Sequence, residues 1–169
     1  MDAVELRAMQ APIKERYKQD PSAAVITLKA KGSTDTEGLT CKVETGRALA
    51  VAGLHPATGG SGLELCSGDM LLEALVACAG VTLKSVATAV EVPLKVGNVF
   101  AEGDLDFRGT LGVDKEAPVG FAEIRLRFDV ATDAPQDKLD LLLKLTERYC
   151  VVYQTIKNGP KVSVSMKRV

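Results

Sequence analysis

Four cysteines, at positions 41, 66, 78 and 150, and one histidine, His55, are the residues of this 169-residue chain best suited to chemistry. The cysteines include no CxxC pair. A structural zinc site needs four nitrogen or sulfur ligands at short spacings, so no metal is expected. One histidine in a loop supports no Ser/His/Asp arrangement, and no glycine-rich phosphate loop stands at a strand-to-helix turn. Thiol chemistry remains. Cys41 reads as a small hydrophobe on the inward face of a strand. Cys66 lies at the entry to a helix. Cys78 and Cys150 each sit in a helix-like apolar run, "LLEALVACAGVTL" (71–83) and "ERYCVVYQTI" (147–156). Each alone reads as packing. Two thiols that meet across a helix contact can act as an attacking and a resolving cysteine, through a sulfenic acid and then a disulfide. Spacing alone does not place them in contact.

The elements that must position these residues can be read from periodicity. Residues 4–18 pattern as an amphipathic helix that Pro12 kinks or divides, and "DPS" at 20–22 ends it. From residue 24 the period is two: Ile26, Leu28 and Ala30 alternate with Thr27, Lys29 and Lys31. After the turn "GSTDTEG", Leu39, Cys41 and Val43 alternate with Thr40, Lys42 and Glu44, which makes a hairpin with one buried face. A third short strand is expected near Ala48–Val51, and "GLHPATGGSG" (53–62) is a loop. A long buried helix follows over about 69–90, with Ser67 or Asp69 as its N-cap. Residues 94–108 form a strand with Ala101, Gly103, Leu105 and Phe107 on one face. In 121–130 the inward set is Ala122, Ile124, Leu126, Phe128 and Val130. One helix, capped by Asp133 with Pro135 in its first turn, carries Leu139, Leu142, Leu143, Thr146, Tyr149, Cys150 and Tyr153 on one face. Gly159-Pro160 stops it, and Val162, Val164 and Met166 make a closing strand. Two runs of strands, each followed by a helix, define an α+β fold.

Composition narrows the partners. With 21 basic and 22 acidic residues the net charge is −1, which gives no electrostatic footprint for nucleic acid or an anionic membrane. The N-terminal residues "MDAVELRAMQAPIKERYKQD" contain charges throughout and do not read as a signal peptide. The longest apolar stretch contains Asp69, Glu73 and Lys84, so it reads as a core helix rather than a membrane span. A cytoplasmic location, where thiols stay reduced, is the expectation.

Two segments carry a family resemblance. "GDMLLEALVACAGVTLKSVA" (68–87) resembles the central-helix signature of the OsmC/Ohr family, and "LDLLLKLTERYCVVYQTI" (139–156) resembles its second cysteine segment. The resemblance covers residues 24–169 as one OsmC-like domain, with residues 1–23 as an N-terminal helical extension. It implies antiparallel sheets wrapped around two long central helices in an intertwined homodimer, with sites at the subunit interface. It also implies thiol peroxidase activity toward organic hydroperoxides, with an external dithiol such as lipoamide as reductant and no bound cofactor. Cys78 matches the peroxidatic position and Cys150 the resolving one. Two departures stand out. The family's glutamate, ten residues before the first cysteine, is Gly68 here, and its arginine in the first hairpin turn is missing. Asp69 and Arg47 are the candidates for those supporting roles, although a helix cap and a strand-end charge are their commoner uses. The alternative reading is an OsmC-fold protein that binds a small ligand or senses redox state without turnover.

Overall fold

The computed structural model describes residues 3–34, 41–43, 52–63 and 65–168. Helix α1 (Ala3–Gln19) runs through Pro12, which forgoes one backbone hydrogen bond. After a short 3-10 turn over Pro21–Ala24 come β1 (Val25–Thr34), β2 (Cys41–Val43), β3 (Ala52–Gly53), β4 (Leu65–Cys66) and α2 (Ser67–Ala89). The second half holds β5 (Val96–Asp106), a single helical turn α3 (Phe107–Thr110), β6 (Phe121–Ala131), α4 (Gln136–Tyr149) and α5 (Val151–Asn158). Four strands form an antiparallel sheet in the order β2-β1-β5-β6, and β3 pairs in parallel with β4. The α+β class follows.

Helix α2 is the centre of the core. Leu72, Leu75, Val76, Ala79, Leu83, Val86 and Ala87 are buried along it. Its first half joins Tyr17, Val99, Ala101, Leu105 and Phe107 in one cluster, and its second half joins Val92 and Leu142 in another. By length and composition α2 could cross a membrane, but eight of its residues, from Leu72 to Ala87, are buried inside the fold. Each fully buried Leu or Val contributes about 1.5–3 kcal/mol, so this helix dominates the stability of the fold. Helix α1 packs on the same core through Ile13 and Tyr17, the latter only 2% exposed.

Several expectations need correction. Phe107 is buried, but it belongs to α3 rather than to the strand, because Asp106 ends β5 by accepting the Arg108 N–H at 3.0 Å. In β6 the register slips between Asp104 and Leu105, so Phe121 rather than Ala122 takes the inward place. The reason is local. A Cβ on Gly103 would lie 2.5 Å from the Phe121 ring, so only glycine there admits that ring. Helix α4 begins after Pro135, whose carbonyl accepts from the N–H groups of Lys138 and Leu139. Asp133 instead pairs with Lys95. Helix α2 takes Cys66 as its N-cap residue, without a side-chain cap, and both Ser67 and Asp69 lie inside the first turn. The closing strand is not formed. Residues 160–168 follow Gly159 with no regular structure, and Val162, Val164 and Met166 are 81%, 92% and 99% exposed. Alternating residues need a neighbouring strand to become a strand, and among the described residues none flanks this segment. The strand expected at Ala48–Val51 lies outside the described residues, as does most of the first hairpin turn.

Candidate active site

The single helix expected through Cys150 is two helices, and the break falls on the cysteine. Cys150 has extended backbone angles, φ −71° and ψ 105°, so it ends α4 and begins α5. Its N–H donates to the Thr146 carbonyl at 3.0 Å, and its carbonyl accepts from the Gln154 N–H at 2.9 Å. The Gln154 amide donates across the break to the Glu147 carbonyl at 2.7 Å. Carbonyls left open at the end of α4 are thereby satisfied without water. The turn lets α5 lay Val152, Tyr153 and Ile156 on the core while Cys150 stays 1% exposed.

The fold brings Cys78 and Cys150 together. Cys78 lies in the middle of α2, half-buried in the same core cluster as Cys150 and close enough to influence its thiol. Burial pushes the Cys150 thiol up to about 11, and a charge on Cys78 acts in the same direction. The N–H groups of Tyr153 and Val152, at the start of α5, pull it down without offsetting burial. Cys150 is therefore a neutral thiol at neutral pH. Of the two cysteines, Cys78 is the more exposed. One turn before Cys150, the Thr146 hydroxyl is buried and unpaired among the described residues.

The supporting candidates are elsewhere. Asp69 precedes Cys78 by nine residues, which is about 14 Å along α2 and half a rotation around it. Within one chain it does not reach the thiol. Burial raises the Asp69 carboxyl above the usual range, and nearby His55 lowers it in part. Cys66 lies about 18 Å from Cys78 along the same axis, so it is not a partner for that thiol within the chain. Arg47 falls outside the described residues. Three other arginines are already engaged. Arg108 pairs with Asp106 and Asp114, Arg125 with Asp104 and Glu123, and Arg127 with Asp129 while lying 4.3 Å over the Phe100 ring. Among the described residues, no group of three or more His, Cys, Asp or Glu side chains could hold a metal ion.

A family model described as OsmC-like protein matches residues 59–165, and the chain belongs to the OsmC-like family. Among solved structures it is similar to the crystal structure of an OsmC-like hydroperoxide resistance protein from Jannaschia sp. CCS1. That likeness has a TM-score of 0.62 at 13% identity, covers 86% of this chain and 95% of that one, and establishes the shared fold. No curated protein matches the sequence. Helix α1, β1, β2 and the loop holding His55 precede the matched span. The sequence marked His55 only as a lone loop histidine and gave Tyr17 no role, because the hydrogen bond that ties α1 to this loop joins Tyr17 and Ala57, 40 positions apart.

Proposed function

We propose that this protein reduces organic hydroperoxides with Cys78 as the attacking thiol and Cys150 as the resolving thiol. The juxtaposition of an accessible cysteine and a buried, protonated one is the observation that carries this reading. The Cys78 thiolate attacks the distal oxygen of ROOH. An S–O bond forms, the O–O bond breaks, and the alkoxide leaves as ROH after taking a proton. The Cys150 sulfur then attacks the sulfenic sulfur, and the proton it loses lets hydroxide leave as water. An external dithiol, such as lipoamide, reduces the disulfide by two exchange steps and is itself oxidised to a cyclic disulfide. No bound cofactor is needed for any of these steps. The apolar surroundings of the pair favour an organic peroxide over hydrogen peroxide. Regenerating both thiols suits a reducing compartment, the cytoplasm.

A homodimer belongs to the same proposal. Exposed apolar side chains on α2, α4, α5 and the C-terminal segment, among them Val81, Leu143, Val151 and Val164, form surface that a second copy would cover. Because Asp69 cannot reach Cys78 in its own chain, any help it gives the thiol comes from the partner's copy. The proposed activity is tested by turnover of cumene hydroperoxide with dihydrolipoamide. Cys78→Ser should lose turnover to the level of free dithiol, and Cys150→Ser should complete one turnover and then stall as the sulfenic acid. Wild-type turnover no faster than free dithiol would leave the small-ligand or redox-sensing reading in its place.

A further inference from the structure

A second cavity, of about 400 Å³, opens at the start of α2, and neither Cys78 nor Cys150 lines it. Its walls include Leu71, Leu105 and Phe121, with His55, Cys66, Thr58, Ser67 and Thr110 as polar members. Pairing of Gly53 with Cys66 in the short parallel ladder brings the two segments side by side. The part of the wall that carries His55 is built by residues preceding the family match. The Tyr17 hydroxyl of α1 donates to the Ala57 carbonyl at 2.7 Å. The Ala57 N–H in turn donates to His55 Nδ1 at 3.0 Å, and the Thr58 hydroxyl donates to the His55 carbonyl at 2.9 Å. The imidazole stacks on Phe107 with ring centres 5.0 Å apart and planes 18° from parallel.

These contacts define the chemistry on offer. Because Nδ1 accepts a hydrogen bond, the neutral ring carries its hydrogen on Nε2. Among the described residues no acceptor takes that hydrogen, and Asp69 is near enough to interact with His55 without hydrogen-bonding to it. The cavity therefore combines a largely apolar lining with a fixed donor on His55, beside the hydroxyl residues Thr58, Ser67 and Thr110, within the volume range of small-molecule sites. We propose that it binds small apolar molecules carrying a carbonyl or comparable acceptor, with the acceptor on His55 Nε2–H and the apolar body against Leu71, Leu105 and Phe121. Helix α1 is the brace of this site, through Tyr17 and Ala57. The proposal does not depend on peroxidase activity.

The test is titration of the full-length reduced protein with 4-phenyl-2-butanone, a ketone inert to thiols, followed by proton NMR. His55 is the only histidine, so its ring resonances report on this site alone. The expected result is a saturable shift of those resonances, with slower N-ethylmaleimide alkylation of Cys66 and unchanged alkylation of Cys78, each read by peptide mass spectrometry. Butylbenzene, which lacks the acceptor, should bind about fivefold or more weakly, as should the ketone to Tyr17→Phe. Leu71→Trp, which fills the cavity, should abolish the shift without lowering the melting temperature. No saturable shift up to the solubility limit, a shift without protection of Cys66, or equal affinity for butylbenzene would overturn the proposal.

Discussion

The two cysteines of the pair are held in opposite ways. Cys78 lies inside a 23-residue helix, followed by buried Ala79 and Gly80, with no irregularity for several turns on either side. Cys150 is the one residue between two helices that is not helical, held by hydrogen bonds at its own N–H and carbonyl and by the Gln154 bridge. Beyond rotation about χ1, a sulfur in an unbroken helix cannot move toward its partner without distorting the helix. A sulfur on a one-residue joint can travel by small changes of φ and ψ. Disulfide geometry demands a narrow range of Cβ separations, so the joint is where the pair has room to adjust. The rigid thiol meets the substrate and the hinged one follows.

Proline substitutions break this comparison most sharply. Ala77→Pro, inside α2, should cost about 3 kcal/mol or more and abolish cooperative folding, measured by thermal unfolding. Val151→Pro sits at the first position of α5, where the N–H is dispensable and the preceding residue is already extended, so it should be neutral or stabilising by about 0.5 kcal/mol. A large loss of stability at position 151 would mean that the joint is a strained helix rather than a true break.

A pH titration sharpens the contrast in burial. The folded-state pKa of Cys150 is raised above its unfolded value, so the folded state holds the proton more tightly. The resulting stability is fully present below about pH 9 and is lost as pH rises toward 11. The loss is on the order of 2 kcal/mol, read as the fall in urea midpoint between those values. The fall should be much smaller in Cys150→Ala, so equal slopes in the two proteins would contradict the buried thiol. A smaller effect is expected one turn away. Thr146 has a buried hydroxyl without a partner among the described residues, so Thr146→Val should stabilise by about 1 kcal/mol in the same assay. Destabilisation would mean that the hydroxyl has a partner in solution.

Much of this arrangement was legible in the sequence. Cys78 and Cys150 stood on two apolar faces with helical spacing, and the alternation in β5 assigned Ala101, Gly103 and Leu105 to the buried side. What escaped were features without local markers. The break at Cys150 has no glycine or proline beside it, only the β-branched pair Val151–Val152, which disfavours a helix weakly. The slip at Ala122 depends on space that Gly103 opens on the neighbouring strand. The closing strand had a clear alternating pattern, but a pattern supplies no partner for its hydrogen bonds. The distance between Asp69 and Cys78, by contrast, needed only the helical rise to be worked out.

The most direct test of the cysteine pair is to treat the reduced protein with one equivalent of cumene hydroperoxide, quench free thiols, and map disulfides by mass spectrometry. A single intramolecular bond joining Cys78 to Cys150, formed in step with peroxide consumption, is the expected result. Sulfinic acid on Cys78 with Cys150 still free, or a disulfide drawn from Cys66 instead, would contradict the assignment of the two thiols.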